Sequence, residues 1–146
     1  MAKSYSAETE TESIVSRVVE EVWNEGNYDV VDEYMTDETV AHYPGIDPIQ
    51  GPEAYKELAQ RYHTAFPDFH VEITDLFSDE DHVVTQYRAT GTHDGPLDGG
   101  PTDVPPTGNE VDVDGIAVVR FEDDTPVEEY NRSDSIRMFE QLGLLG

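Results

Sequence analysis

The sequence predicts an α+β fold in which a curved antiparallel sheet is closed on one side by N-terminal helices. In the first half of the chain, apolar residues recur three and four positions apart, which is the spacing of amphipathic helices. From Phe69 onward they fall instead into short alternating runs separated by turn residues, which is typical of strands. Helices followed by consecutive strands indicate an α+β domain. A chain of 146 residues is long enough for one such domain with its own core.

The predicted helices begin and end at recognisable signals. Thr9 and Glu12 form a capping-box pattern ahead of the first helix, and Gly26 is a natural stop for it. A second, short helix runs through 30–35. The third begins at Gly51-Pro52-Glu53 and ends before Pro67, because proline fits the first turn of a helix and disfavours helical geometry in the residue before it. Ser133 or Asp134 is the expected cap of a final helix.

The strands form the second half of the chain. We expect an extended segment at 38–43 and strands at 69–77, 83–92, 110–122 and 127–131. The meander 83–134 is predicted to form the wall of a pocket. The loop 93–108, rich in Gly and Pro, is predicted to be a flap or a mobile segment beside it. Residues 1–10 are expected to be a flexible tail, and residues 11–146 the single domain.

Composition limits the partners. The chain has 33 Asp and Glu against 8 Lys and Arg, a net charge of −25, which would repel nucleic acid and anionic lipid. The acids are spread over the whole chain, which favours a solvated acidic surface of the kind found in proteins from very salty cytoplasm. The sequence has no cysteine and no apolar run long enough for a membrane span, so we expect a cytoplasmic protein that does not bind membranes.

Short motifs distributed along the chain carry a resemblance to a known family. They include VWNEGNYDVVDEYMTDE, Gly51-Pro52-Glu53, Ala65-Phe66-Pro67-Asp68, Gly91-Thr92-His93-Asp94-Gly95, Pro105-Pro106-Thr107-Gly108 and Gln141-Leu142-Gly143. In this order and spacing, the chain resembles the SnoaL-like polyketide cyclases (ester cyclases) of the NTF2-like superfamily. The resemblance implies a cone-shaped barrel with a pocket between sheet and helices. It also implies dimers or tetramers formed through the outer sheet face, and an intramolecular aldol closure without metal or cofactor.

The resemblance fails at the position where the chemistry is expected. The family's catalytic aspartate falls on Asn131, and an amide cannot accept and return a proton. The family's pocket histidine falls on Glu129, and its polar positions on the preceding strand fall on Gly115 and Ala117. Glu129 and Asn131 share one face of their strand, so both are expected in the pocket. Glu129 is then either a replacement base or one more solvated acid at the barrel mouth.

Other candidates were assigned from strand alternation and position. If Ala117 points inward, Val113 and Val119 line the pocket with it, which leaves room for a bulky flat ligand, while Ile116 and Val118 lie on the outer face. The remaining predicted lining residues are Trp23, Tyr62, Gln86, Arg88 and His42. For Arg88 the alternative is an outward side chain that pairs with the surrounding acids. His93 is predicted either to assist as an acid or to hold the adjoining turn, and His42 either to reach the pocket mouth or to make a structural hydrogen bond.

Two functions follow as alternatives. The first is a proton-transfer enzyme, an aldol cyclase or an isomerase, acting on a hydrophobic oxygenated compound with Glu129 as base, His93 or His42 as acid and Asn131 as an orienting donor. The second is a ligand-binding domain that has lost the family's acid. The histidines lack the short spacing of a metal site, so no metal is predicted. Epoxide hydrolysis would need two inward aspartates, which the inward positions do not supply.

Overall fold

The computed structural model describes residue 7 and residues 9–97 and 104–145. The helices are α1 (Glu10–Arg17), continued by a π-helical segment (Val18–Asn24), α2 (Val30–Tyr34), α3 (Pro52–Ala65) and α4 (Ser135–Gln141). The strands are β1 (Val40–His42), β2 (Ile49–Gln50), β3 (His70–Ser78), β4 (His82–Thr92), β5 (Glu110–Glu122) and β6 (Thr125–Ser133). The α+β prediction is confirmed. Most of the predicted tail at 1–10 lies outside the described residues, and α1 begins at Glu10.

The helix signals act as predicted. The Thr9 hydroxyl accepts a hydrogen bond from the backbone N–H of Glu12 at 3.1 Å, which satisfies one of the free donors at the start of α1. Gly26, with φ 72°, ends the helical segment in the left-handed region. Asp134, rather than Ser133, caps α4 by accepting from the N–H of Arg137. The π-helical turn that holds Trp23 was not predicted.

The six strands form one mixed sheet in the order β2-β1-β6-β5-β4-β3. The pairs β3–β4, β4–β5 and β5–β6 are antiparallel, as predicted for the meander. The prediction of a purely antiparallel sheet is wrong at one pair, because β1 runs parallel to β6 and places Ala41 beside Glu129. The long chain between β1 and β6 allows that parallel pairing, whereas hairpins impose the antiparallel ones.

Alternation along β5 follows the predicted parity. Val113, Ala117 and Phe121 are buried, whereas Ile116 is 46% exposed. The inward side chains pack against α1, the π-helical segment and α3, so the core lies between the concave face of the sheet and the helices. No helix in the described part of the chain is long and apolar enough to cross a membrane.

The loop after β4 is tied to the end of α3. The backbone N–H groups of Asp94 and Gly95 both donate to the carbonyl of Ala65, at 3.0 and 3.1 Å. Leu97 and Val104 then pair as an antiparallel bridge. The prediction of a flap concerns 93–108, of which 98–103 lie outside the described residues. The described ends of this loop are therefore anchored by backbone hydrogen bonds.

Candidate functional site

A cavity of about 120 Å³ lies between the concave face of the sheet and the helices. Apolar and aromatic side chains dominate its lining, which includes Trp23, Tyr43, Tyr55, Tyr62, Phe66, Phe69, Tyr87, Val113, Ala117, Val119, Glu129 and Asn131. For scale, a cavity of about 150 Å³ is known to accept benzene. The volume therefore suits a compound of about one ring, and the predicted space for a bulky flat ligand is not present. Aromatic side chains from the helices occupy much of the space between the helices and the sheet.

Two acids line this cavity, and Glu129 is the one in its apolar part, because the Glu128 carboxylate pairs with His42. Glu129 lies on β6 beside Asn131, with its carboxylate against apolar and aromatic side chains. This loss of water raises the pKa of Glu129 to about 7, although hydrogen bonds from Tyr43 and Asn131 pull it downward. Near neutral pH the side chain is therefore present in both protonation states, which is the property a general base or acid needs.

A chain of hydrogen bonds from the helices ends on Glu129. The indole N–H of Trp23 donates to the Tyr55 hydroxyl at 2.9 Å, and the hydroxyls of Tyr55 and Tyr43 are 3.4 Å apart. The Tyr43 hydroxyl donates to Glu129 Oε2 at 3.0 Å. Because an indole can only donate, and Tyr43 gives its proton to Glu129, the Tyr55 proton points toward Tyr43. Burial raises the pKa of both tyrosines, so these hydroxyls keep their protons.

A second hydrogen-bonded group meets Glu129 from β4. The Tyr87 hydroxyl donates to Asn131 Oδ1 at 2.7 Å. With its oxygen occupied in this way, the Asn131 amide offers its N–H group to the Glu129 carboxylate. Glu129 is thus held by donors from two directions, and both chains of donors begin on other elements of the fold.

Several predicted site residues meet in this cavity. Glu129 and Asn131 line it, as do Val113, Ala117 and Val119 on β5 and Trp23 and Tyr62 on the helix side. The β5–β6 register explains why the strand residues share one face of the sheet, because Ala117 pairs with Asn131 and Val119 pairs with Glu129. Their roles in catalysis or ligand binding stay predictions.

Gln86 and Arg88 do not reach the cavity, so their prediction as pocket residues is wrong. Both are exposed on the outer face of β4, and the Arg88 guanidinium pairs with the Asp112 carboxylate. The physical reason is the β4–β5 register, which pairs Tyr87 with the inward Gly115 and Arg88 with Asp114. Alternation then turns the even-numbered residues of β4 outward.

His93 and His42 are also absent from the cavity wall, so neither is placed to assist Glu129 there. His93 is fully buried beside Phe66, and its Nδ1 accepts from the backbone N–H of Thr107 at 3.2 Å. Its contact is structural, but it holds Thr107 at the far end of the loop and not the adjoining turn at Asp94-Gly95 that was predicted. The His42 ring stacks on Tyr130 at 4.4 Å, and its Nε2 lies 2.9 Å from the Glu128 carboxylate. Ala41, not His42, has the inward parity on β1.

The family model that describes SnoaL-like polyketide cyclases matches residues 13–142. The chain belongs to this family. Among solved structures, a SnoaL-like polyketide cyclase candidate from Jannaschia sp. CCS1 is 26% identical, with a TM-score of 0.83 over 97% of this chain and 96% of that one. A polyketide cyclase candidate from Acidithiobacillus ferrooxidans is 28% identical, with a TM-score of 0.79 over 97% and 100% of the two chains.

A third family likeness is to IdmH, a polyketide cyclase candidate from Streptomyces antibioticus, at 26% identity and a TM-score of 0.75 over 92% of this chain and 99% of that one. A protein of ketosteroid isomerase-like fold from Catenulispora acidiphila has a TM-score of 0.72 at 18% identity over 90% and 92%, and shows the fold alone. No curated protein matches the chain. Family membership and these structures support the NTF2-like fold and a small-molecule cavity.

The family resemblance alone does not reveal three tyrosines of the site. Tyr43, Tyr55 and Tyr87 are not among the predicted site residues. Tyr87 shares the inward parity of β4 with Thr85 and Ala89, a signal that strand alternation offers once the register is known. Tyr43 reaches Glu129 because β1 lies parallel beside β6, a pairing that no local pattern indicates.

The cavity offers oxygen donors and acceptors more readily than metal ligands. Within residues 9–97 and 104–145, no three His, Asp or Glu side chains are grouped so that they could hold a metal ion. What the cavity does provide is one carboxyl group poised near neutral pH, an amide and four phenol hydroxyls. This set suits proton transfer and the binding of oxygen-bearing compounds.

Proposed function

We propose that this protein is a cofactor-independent proton-transfer enzyme, an aldol cyclase or an isomerase, in which Glu129 is the general base. The observation that carries the proposal is the position of Glu129 in an apolar cavity, with its pKa raised to about 7 by burial. A base with this pKa can take a proton at neutral pH and return it in a later step. Glu129 would thereby serve in place of the aspartate that the family has at Asn131.

The surrounding groups support each part of such a reaction. The Tyr43 hydroxyl and the Asn131 amide fix the Glu129 carboxylate, so it meets a substrate C–H in a set direction. Removing a proton next to a carbonyl builds negative charge on the carbonyl oxygen, which needs a hydrogen-bond donor. Asn131 has two amide hydrogens, so the second can serve this oxygen while the first holds Glu129. The hydrogen-bond donation expected of a histidine would thus come from Asn131, whose amide donates without giving up a proton.

Cavity size and lining narrow the substrate class. A volume of about 120 Å³ favours a hydrophobic carbonyl compound of about one ring over a fused polycycle. The aromatic wall formed by Trp23, Tyr62 and Phe69 would pack against the apolar part of such a compound. The acidic surface, with a net charge of −25, disfavours an anionic substrate.

The test is a comparison of two substitutions with a panel of small cyclic ketones and 1,3-dicarbonyl compounds. Exchange of the substrate's α-hydrogens with deuterated water reports proton abstraction without knowledge of the final product. We expect Glu129→Gln to abolish exchange and Asn131→Asp to retain part of it, because the base Glu129 is still present in the second variant and only its amide donor is lost. Equal exchange by the wild type and Glu129→Gln would reject Glu129 as the base.

A second candidate function is ligand binding without turnover. It is favoured by one specific observation, the amide at Asn131 where the family's acid is expected. Thermal unfolding in the presence of the same compounds distinguishes the two functions. A ligand that raises the Tm but shows neither exchange nor product would support binding alone, whereas exchange catalysed by the wild type would reject it.

We also infer that the outer sheet face joins copies of the chain into a dimer or tetramer. Ile116 and Tyr130 are 46% and 43% exposed there, and Val118 lies beside Tyr130 as its partner in the β5–β6 register. Apolar groups adjoining on one exposed face suit a subunit interface. Light scattering should give a mass above that of the 16.4 kDa chain, and Ile116→Glu should reduce it. A monomer for the wild type at millimolar salt and in molar KCl would reject this interface.

The acidic composition supports an origin in a salty cytoplasm. With 33 acids against 8 Lys and Arg, repulsion destabilises the compact state at low ionic strength, and salt screens it. The absence of cysteine agrees with this location. Resistance to urea should therefore rise steeply between about 0.1 M and 1 M KCl, where the screening length falls from about 10 Å to about 3 Å. A flat response would contradict the adaptation.

A further inference from the structure

We propose that Tyr87, seated in the space left by Gly115, is a positioning residue that sets the direction of the Asn131 amide and through it the carboxylate of Glu129. The inference rests on the proposed role of Glu129 as the base and adds two residues that were not predicted to take part in this arrangement. It also gives Gly115 a function, because the absence of a side chain there makes room for the Tyr87 ring.

The direction of the amide follows from the hydrogen bond that Tyr87 makes. The Tyr87 hydroxyl donates to Asn131 Oδ1 at 2.7 Å, so the amide oxygen faces β4 and the amide nitrogen faces Glu129. Turned the other way, Asn131 would place its oxygen against the Glu129 carboxylate, and two acceptors would face each other. Only the observed direction lets Asn131 donate to an ionised Glu129. Tyr87 thus acts on the base without touching it.

A third side chain sets the direction of the Tyr87 hydroxyl itself. Ser133 also lines the cavity. Burial raises the pKa of Tyr87, and the Ser133 hydroxyl acts on it as a hydrogen-bond donor, in the downward direction. A hydroxyl has one proton, so Ser133 donating to Tyr87 leaves the Tyr87 proton for Asn131. Ser133, Asn131 and Glu129 alternate on the inward face of β6, which is why one tyrosine from β4 can bridge to this row.

Gly115 is required because the Tyr87 ring lies over its backbone. A Cβ at position 115 would lie 2.3 Å from both Cζ and the hydroxyl oxygen of Tyr87, far inside contact distance. Tyr87 and Gly115 are direct partners in the β4–β5 register, so the ring has no room beside any larger residue there. The hydroxyl at this part of the wall therefore comes from Tyr87 on β4, and its position requires a glycine on β5.

Two variants disturb the same contact in different ways. Tyr87→Phe removes the hydroxyl and keeps the ring, whereas Gly115→Ala keeps the hydroxyl and displaces it. In both, Asn131 loses the bond that sets its direction, and Glu129 loses part of its donor. We expect the pKa of Glu129, measured by carbon NMR of its carboxyl group, to rise by about one unit, a tenfold change in acidity, in each variant. In the double variant the pKa of Glu129 should rise no further than in the single variant with the larger rise, because both substitutions act through one contact.

Tyr62→Phe is the matched control, since it removes another tyrosine hydroxyl from the same cavity wall and should leave the pKa of Glu129 unchanged. An unchanged pKa in Tyr87→Phe would overturn the inference, as would an equal rise in the control. Thermal unfolding verifies that each variant is folded. If Gly115→Ala does not fold, Tyr87→Phe still tests the inference, because it keeps the ring. An ordinary pKa of Glu129 in the wild type would instead reject the proposed base, so the two failures are distinguishable.

Discussion

Replacing Glu129 by Gln should change how the stability of this protein depends on pH. The pKa of Glu129 is about 7 in the folded protein and about 4.5 in an ordinary exposed state. A group whose pKa rises on folding contributes stability that is fully present below its unfolded pKa. That contribution is lost as the pH rises through the folded pKa, because the unfolded chain then releases the proton more readily. For Glu129 the window lies between about pH 4.5 and pH 7.

The magnitude follows from the shift. A difference of about 2.5 pKa units corresponds to about 3 kcal/mol of unfolding free energy at 1.36 kcal/mol per unit. Gln cannot ionise, so Glu129→Gln should keep most of this free energy at pH 8 while resembling the wild type near pH 4.5. For a domain of this size the gain at pH 8 corresponds to roughly 6–12 °C in Tm. The Tyr43 hydroxyl can still donate to the Gln oxygen, which limits other losses.

Urea unfolding of both proteins, at pH steps between 4 and 8 and constant high salt, measures this difference directly. Asp112→Asn is the control at a second carboxyl group. The pKa of Asp112 is lowered by hydrogen bonds from Arg88, whose charge does not change in this range, so its contribution is lost only as the pH falls below its unfolded pKa. Its difference from the wild type should therefore be constant between pH 5 and 8. Parallel curves for Glu129→Gln and the wild type would refute a raised pKa at Glu129.

Three further outcomes are expected. Tyr43→Phe should raise the pKa of Glu129 by about one unit through loss of the donor to Oε2, and an unchanged NMR titration would contradict the 3.0 Å bond. Ala117→Leu should fill the cavity floor and eliminate ligand-induced Tm shifts while the protein stays folded; retained shifts would place the ligand elsewhere. Thr9→Ala should cost about 1 kcal/mol in urea unfolding by loss of the N-cap, whereas Ser13→Ala should cost less.

Local patterns predicted the elements because they depend on neighbouring residues. The cap at Thr9, the stop at Gly26 and the proline start of α3 each act within one helical turn, so the sequence displays them directly. On β5 the family resemblance suggested that Ala117 points inward, and alternation then put Ile116 on the opposite face, as observed. The same reasoning could not choose between the two faces of β4, where Gln86 and Arg88 proved to be outside, because a strand's parity is decided by its register with its neighbour.

Pocket membership also depends on which face a short element turns inward. His42 has a polar ring at a plausible place in the chain, yet β1 turns Ala41 and not His42 into the protein. His93 has the inward parity of β4, but it lies past the cavity in the core under Phe66, where it holds Thr107. In both cases the residue type indicated chemistry, whereas packing gave the side chain a structural contact.

By itself, the sequence determined the fold class and the family, and it predicted that Glu129 and Asn131 share the inward face of one strand. The loss of the family's acid at Asn131 stays a prediction. Tertiary structure alone decided what surrounds Glu129. Tyr43 reaches it across a parallel pairing of strands 86 residues apart, and Tyr87 reaches Asn131 from β4 over Gly115. The reason is that a raised pKa and directed hydrogen bonds come from burial and contact between distant segments, which local periodicity does not encode.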